Sequence, residues 1–166
     1  MNVERGARIA PELRVAQWID ADGRLRPPLQ LAELGAGFKM LFCFQHACPG
    51  CHSVGFPTLR RLVDALSGRG FAFAAVQTVF EEAELNTADR LRDAQLRYGL
   101  AIPFGHDPAG DRGPSSMMCD YQTGGTPWFI VIDPSGHLVF SDFSLDADRL
   151  IDSFARFSAD NGTTPT

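Results

Sequence analysis

The stretch Lys39-Met40-Leu41-Phe42-Cys43-Phe44-Gln45-His46-Ala47-Cys48-Pro49-Gly50-Cys51 decides how this chain is read. Its first part, Lys39 to Gln45, is short and almost wholly apolar, as a strand buried on both faces of a sheet must be. The residues after Cys51 have helical periodicity. Phe56, Leu59, Leu62, Val63 and Leu66 recur at spacings of three and four, the period of one helix face. Gly68 and Gly70 mark an end. A helix is therefore predicted from near Cys48 to Leu66. The motif Cys48-Pro49-Gly50-Cys51 falls where the buried strand hands over to it.

That position has a chemical consequence. A helix start offers unpaired N–H groups and the positive end of the dipole, and both stabilise a thiolate. A free thiol has a pKa of about 8.5, and such positions lower it to roughly 3.5–7.5. A Cys48 thiolate can attack a disulfide and form a mixed disulfide, which Cys51, one turn further in, can displace. Pro49 suits a helix start but removes one N–H that would face the sulfur, leaving those of Gly50 and Cys51. His46 adds positive charge when protonated. The plainer readings make His46 a solvated loop residue and His52 an exposed helical one.

A second motif, Gly124-Gly125-Thr126-Pro127, stands directly before the apolar run Trp128 to Ile132. A Pro opening a central strand after flexible glycines is a candidate cis peptide. It would present the Thr126 backbone to an extended substrate. A trans-Pro at a strand start is the alternative.

Working outward, Leu13 to Trp18 has strand character and runs into a turn at Asp20-Ala21-Asp22-Gly23. Arg24 to Leu34 crosses Pro27-Pro28 and reads as a short strand or turn. Phe71 to Phe80 is a second buried strand. Thr87 to Tyr98 reads as a helix with Asn86 as its cap and Gly99 just past its end. Ile102 to Gly105 is a short strand before the turn-rich segment Asp107 to Ser116. Trp128 to Ile132 meets Leu138 to Ser141 through the hairpin residues Asp133-Pro134-Ser135-Gly136. Asp146 to Phe157 closes as a helix. The order β-α-β-α-β-β-α predicts an α/β fold, a three-layer sandwich. The expected organisation is one domain over residues 1–159 and a polar tail over 160–166.

Composition narrows the function. The 166 residues are 45% hydrophobic and 21% charged, a globular balance. A net charge of -5 argues against nucleic acid and anionic membrane surfaces as partners, since both want a basic face. No run approaches the roughly 20 apolar residues of a membrane span. Met1 to Ala10 carries Glu4, Arg5 and Arg8 and no apolar core, so it does not read as a signal peptide. The expected setting is the cytoplasm. There, the four cysteines Cys43, Cys48, Cys51 and Cys119 are too few for a disulfide scaffold, and a close pair reads as catalytic or metal-binding. Cys43 reads as a small core hydrophobe, and Cys119 as core packing or a free surface thiol.

These residues together resemble a family. Ala10-Pro11-Glu12-Leu13, a Trp before an Asp-Gly turn, Cys48-Pro49-Gly50-Cys51, and Gly125-Thr126-Pro127 before a strand ending in Ile132-Asp133 look like the redoxin superfamily. The branch most similar is that of the TlpA-like thiol–disulfide oxidoreductases, near the AhpC/TSA group. The resemblance implies a thioredoxin-like three-layer α/β/α sandwich with a central mixed sheet. The 76 residues from Cys51 to Pro127 fit members with an extra strand and helix inserted in the middle. It also implies Cys48 as nucleophile, Cys51 as resolving thiol and Pro127 as the neighbouring cis-proline, with Thr126 beside it on the substrate.

The expected activity is thiol–disulfide exchange without a bound cofactor or metal. Its partners would be protein or small-molecule disulfides and thiols, plus a dithiol electron donor. Three departures from the family pattern stand out. Many members of this branch carry a signal peptide or anchor, and Met1 to Ala10 does not read as one. Phe42 occupies the place where thioredoxins bury an Asp, so a proton acceptor is expected elsewhere, at Glu81 or Glu82 or from water. Pro57 follows Cys51 by six residues instead of the common five, which suggests a bulge in the helix.

Four rival readings are weaker. A peroxiredoxin-type, antioxidant peroxidase wants a Thr three residues before the attacking Cys, where Gln45 stands. Cys48-Pro49-Gly50-Cys51-His52 also matches a c-type haem attachment pattern, which needs export. A zinc site drawn from Cys48, Cys51, His46 or His52, and Cys119 lacks a second close pair. A non-enzymatic thioredoxin-fold binding module would not need both cysteines.

Overall fold

Alternation along three buried strands builds the molecule, seen in a computed structural model that describes residues 8–111 and 113–161. The charged residues Glu4 and Arg5 of the first segment and the end of the polar tail lie outside the described residues. In chain order the strands are β1 (Gln17–Ile19), β2 (Leu25–Arg26), β3 (Phe38–Phe44), β4 (Phe71–Thr78), β5 (Phe104–Asp107), β6 (Trp128–Ile132) and β7 (Leu138–Asp142). The helices are α1 (Phe56–Leu66), α2 (Arg90–Arg97), α3 (Ser116–Tyr121) and α4 (Ala147–Asn161). One seven-stranded sheet has the order β2-β1-β5-β4-β3-β6-β7. It is mixed: β3 pairs parallel with β4 and β4 with β5, while β6 is antiparallel to both β3 and β7.

Because side chains in a strand alternate faces, β3 splits its apolar run in two. Met40, Phe42 and Phe44 join Phe73, Ala75, Phe129 and Val131 on one side, against α1, α2 and α4. Leu41 and Cys43 join Ala74, Val76, Ile130 and Ile132 on the other, against α3 and the segment of Ala10, Leu13 and Val15. This is the thioredoxin-like three-layer sandwich, with α2 and β5 as the inserted helix and strand. Phe42, Phe44, Phe56, Phe104 and Phe129 are all essentially inaccessible. Each contributes about 1.5–3 kcal/mol from burial.

Several elements differ from their sequence-based bounds. The first strand begins only at Gln17, where its pairing with β5 starts opposite His106; before it, the Val15 carbonyl accepts the indole N–H of Trp18 at 2.8 Å. β5 starts at Phe104, after Pro103, which has no N–H to give a ladder. α2 begins at Arg90, not Thr87, and Asn86 does not cap it. α4 runs through Asn161, so the segment expected as a tail from Asp160 is helical at its start. No described helix is long and apolar enough to cross a membrane.

Candidate active site

The chain leaves β3 at Phe44, crosses His46 and Ala47, and turns into a helix at Pro49. The helix is not uniform. Residues Cys51–Gly55 form a π turn ahead of α1, with the Phe56 N–H donating to the Cys51 carbonyl. This accounts for the extra residue before Pro57. The turn brings Gly55 so close to the opposite loop that an added Cβ would lie 2.9 Å from both Phe42 Cζ and Pro127 Cβ. Only glycine fits there, a requirement that the sequence reading missed.

Cys48 and Cys51 are joined in a disulfide, with Cα atoms 5.3 Å apart. Cys51 is fully buried in the same cluster as Phe42, Phe44 and Phe56, while Cys48 is half-exposed. The Cys51 N–H points at Cys48 Sγ from 3.2 Å, one of the two donors that remain beside Pro49. Gly50 instead packs toward Pro127, where an added Cβ would stand 3.6 Å from its Cδ. The Thr126–Pro127 peptide is cis, and the Thr126 carbonyl oxygen lies 3.7 Å from Cys48 Sγ. Residues 78 apart in sequence thus meet at one sulfur.

The loop before Cys48 is held by buried amides. The His46 N–H donates to Gln77 Oε1 at 2.9 Å and the Ala47 N–H to Asn86 Oδ1 at 2.8 Å. Asn86 Nδ2 donates to the Glu81 carbonyl at 2.9 Å. Gln45 is also buried, its Oε1 accepting the Phe80 N–H at 3.0 Å. A buried polar group without a partner costs about 1–3 kcal/mol, so such a network fixes the loop rather than merely filling space. Asn86 is therefore a brace for the cysteine loop and not a helix cap.

His46 lies in the loop, as its plain reading has it, while His52 departs from its own. His46 is half-buried, and burial, with Arg90 and His52 nearby, holds its imidazole below the ordinary value. It is a poorer source of positive charge for Cys48 than its sequence position suggests. His52 is half-buried rather than exposed. Its Nε2 donates to the His46 carbonyl at 2.6 Å, and its Nδ1 meets the Tyr98 hydroxyl. A carbonyl only accepts, so Nε2 carries the proton.

Glu81 and Glu82 are exposed on the loop after β4, and Glu81 Oε1 accepts from Gln45 Nε2 at 3.4 Å. Neither side chain hydrogen-bonds Cys51, which packs among aromatic rings. Cys43 lies on the opposite face of the sheet, fully buried, and burial raises its thiol pKa far above the ordinary range. Cys119 is a free, exposed thiol on α3. Among the described residues no group of three or more His, Cys, Asp and Glu is placed to hold a metal ion.

No family model and no curated protein sequence matches the chain. Solved structures do. A thioredoxin-like superfamily protein is 30% identical, with 91% of this chain and 96% of that one covered and a TM-score of 0.79. A thiol-disulfide isomerase from Corynebacterium glutamicum is 23% identical, covering 87% of this chain and 95% of its own, with a TM-score of 0.72. A secreted disulfide oxidoreductase from Mycobacterium tuberculosis is 16% identical, covering 84% and 94%, with a TM-score of 0.60. The chain belongs to the thioredoxin-like superfamily. Its structural neighbours include thiol–disulfide oxidoreductases, in keeping with the redoxin resemblance.

Proposed function

We propose that this chain is a thiol–disulfide exchange enzyme in which Cys48 attacks and Cys51 resolves. The observation that carries the reading is the Cys48–Cys51 pair at a helix mouth, one sulfur half-exposed and the other buried, with the Thr126 carbonyl beside the accessible one. In the reducing direction, the Cys48 thiolate forms an S–S bond with one substrate sulfur and expels the other as a thiolate. The Cys51 thiolate then displaces the substrate, closing Cys48–Cys51 and passing two electrons to the substrate. A dithiol donor reopens the bridge. The Thr126-Pro127 backbone is the surface along which a substrate segment lies, while Pro49 and Gly50 set the span between the sulfurs.

The proposed setting is the cytoplasm, supported by the exposed unpaired thiol of Cys119, which a reducing compartment keeps as a thiol. Titration in glutathione buffers with mass-resolved alkylation tests the reading. It should yield one two-electron transition confined to Cys48 and Cys51. Insulin reduction retained by Cys48→Ser would show that the nucleophile has been misassigned.

A further inference from the structure

The peptide beside Cys48 is framed by aromatic rings that the fold leaves uncovered. Phe143 is 48% exposed and Phe80 is 39% exposed, unlike the inaccessible phenylalanines of the core. Phe143 stands edge-on to the half-buried Trp128, ring centroids 4.6 Å apart. The indole is held by its N–H to Ser141 Oγ at 2.8 Å. Phe143 leans on both glycines before Thr126, and Phe80 reaches Gly125 alone. An added Cβ at Gly125 would lie 3.2 Å from Phe143 and 4.0 Å from Phe80; at Gly124 it would lie 3.0 Å from Trp128 and 3.4 Å from Phe143. Gly125 also has φ of 145°, a conformation that favours glycine. The glycine pair thus lets the rings close on the backbone one residue from the carbonyl at Cys48 Sγ.

The rim is acidic. Glu81 and Glu82 follow Phe80, Asp142 precedes Phe143, and all three are exposed. Exposed aromatics of this kind gain most when a partner covers them, since each ring buries about 150–250 Å². The three carboxylates outnumber the Arg90 guanidinium, and that balance disfavours anions and favours cations at short range.

We propose that Phe80, Trp128 and Phe143 form an aromatic clamp that selects protein disulfides whose cysteine is flanked by a bulky apolar residue and a basic one. Small anionic disulfides such as oxidised glutathione are disfavoured by the same rim. This rests on the thiol–disulfide exchange reading and adds to it the class of substrate.

The test uses peptide disulfides with Phe-Lys, Ser-Lys, Phe-Glu and Ser-Glu beside the cysteine, and 2-hydroxyethyl disulfide as an uncharged small substrate. The full chain should show kcat/KM about tenfold higher for Phe than for Ser, and a smaller preference for Lys over Glu that shrinks with salt. Phe143→Ala and Phe80→Ala should each cut the Phe-over-Ser ratio severalfold. Leu25→Ser, an exposed apolar residue on β2, should keep it. Hydroxyethyl disulfide turnover without flank preference, or a ratio unmoved in both clamp variants, overturns the clamp alone. No turnover of any disulfide overturns the exchange reading and the clamp with it.

Discussion

The two faces of the central sheet carry the same kind of side chain to opposite ends. On one face Cys51 sits among Phe42, Phe44 and Phe56; on the other Cys43 sits among Leu41, Val76 and Ile130. Both sulfurs are fully buried. One is bonded to a half-exposed partner at a helix mouth, and the other faces only core. Burial therefore does not separate a redox cysteine from a packing one here. What separates them is the end of the ladder: Cys43 is paired between β4 and β6, whereas past Phe44 the chain leaves the sheet for a helix start, where the Cys51 N–H faces the Cys48 sulfur.

Removing each sulfur breaks that comparison most sharply. Cys48→Ser should reduce disulfide exchange to the uncatalysed background in an insulin turbidity assay. Cys43→Ser should leave exchange intact and lower stability by about 1–3 kcal/mol, read by urea unfolding, since it buries a hydroxyl in apolar packing. Equal activity losses in the two variants would erase the distinction between the faces.

Reactivity sharpens it next. Iodoacetamide should modify Cys119 in the oxidised native protein and Cys48 as well after mild reduction. Cys43, whose thiol burial keeps protonated, should react only in denaturant. Intact-mass measurement counts the adducts, and native labelling of Cys43 would contradict its placement.

The polar end of the sheet gives a smaller effect. Asn86→Ala leaves the Ala47 N–H without its partner and should cost about 1–3 kcal/mol of stability. It should leave the alkylation rate of Cys119 unchanged while altering that of reduced Cys48, because only Cys48 sits on the braced loop. Identical changes at both thiols would assign Asn86 a purely global role.

The smallest effect is on pH dependence. Burial lowers the pKa of both His46 and His106, so the folded chain binds fewer protons than the unfolded one. Their contribution is fully present above the unfolded value, about 6.5, and is lost as pH falls through the folded values. The urea midpoint should therefore drop as pH falls below about 6.5. Replacing both histidines with Gln should flatten that drop; an undiminished drop in the double variant would place its source elsewhere.

Local pattern carried much of this architecture. The unbroken apolar run of β3 and the period near 3.6 in α1 are written in the sequence, because burial selects those residues directly. The Pro57 spacing announced the π turn for the same reason: one extra residue must go somewhere. Other features were not legible. Asn86 has the composition of a helix cap, and only the loop packed across from it turns the amide toward Ala47. His52 lies at a position that a helix alone would expose, and Tyr98, just past α2, encloses it. Gly55 looks like an ordinary small residue until Pro127 arrives on its far side.

From its residues alone the chain specified a buried strand feeding a helix with two cysteines at the junction, because hydrophobic period and helix-start chemistry act over a few neighbours. Which groups surround those sulfurs was decided only in three dimensions. Thr126, Gln77 and Asn86 are brought to them by strand pairing across dozens of residues, and no local preference encodes a contact whose two halves meet only after the sheet has closed.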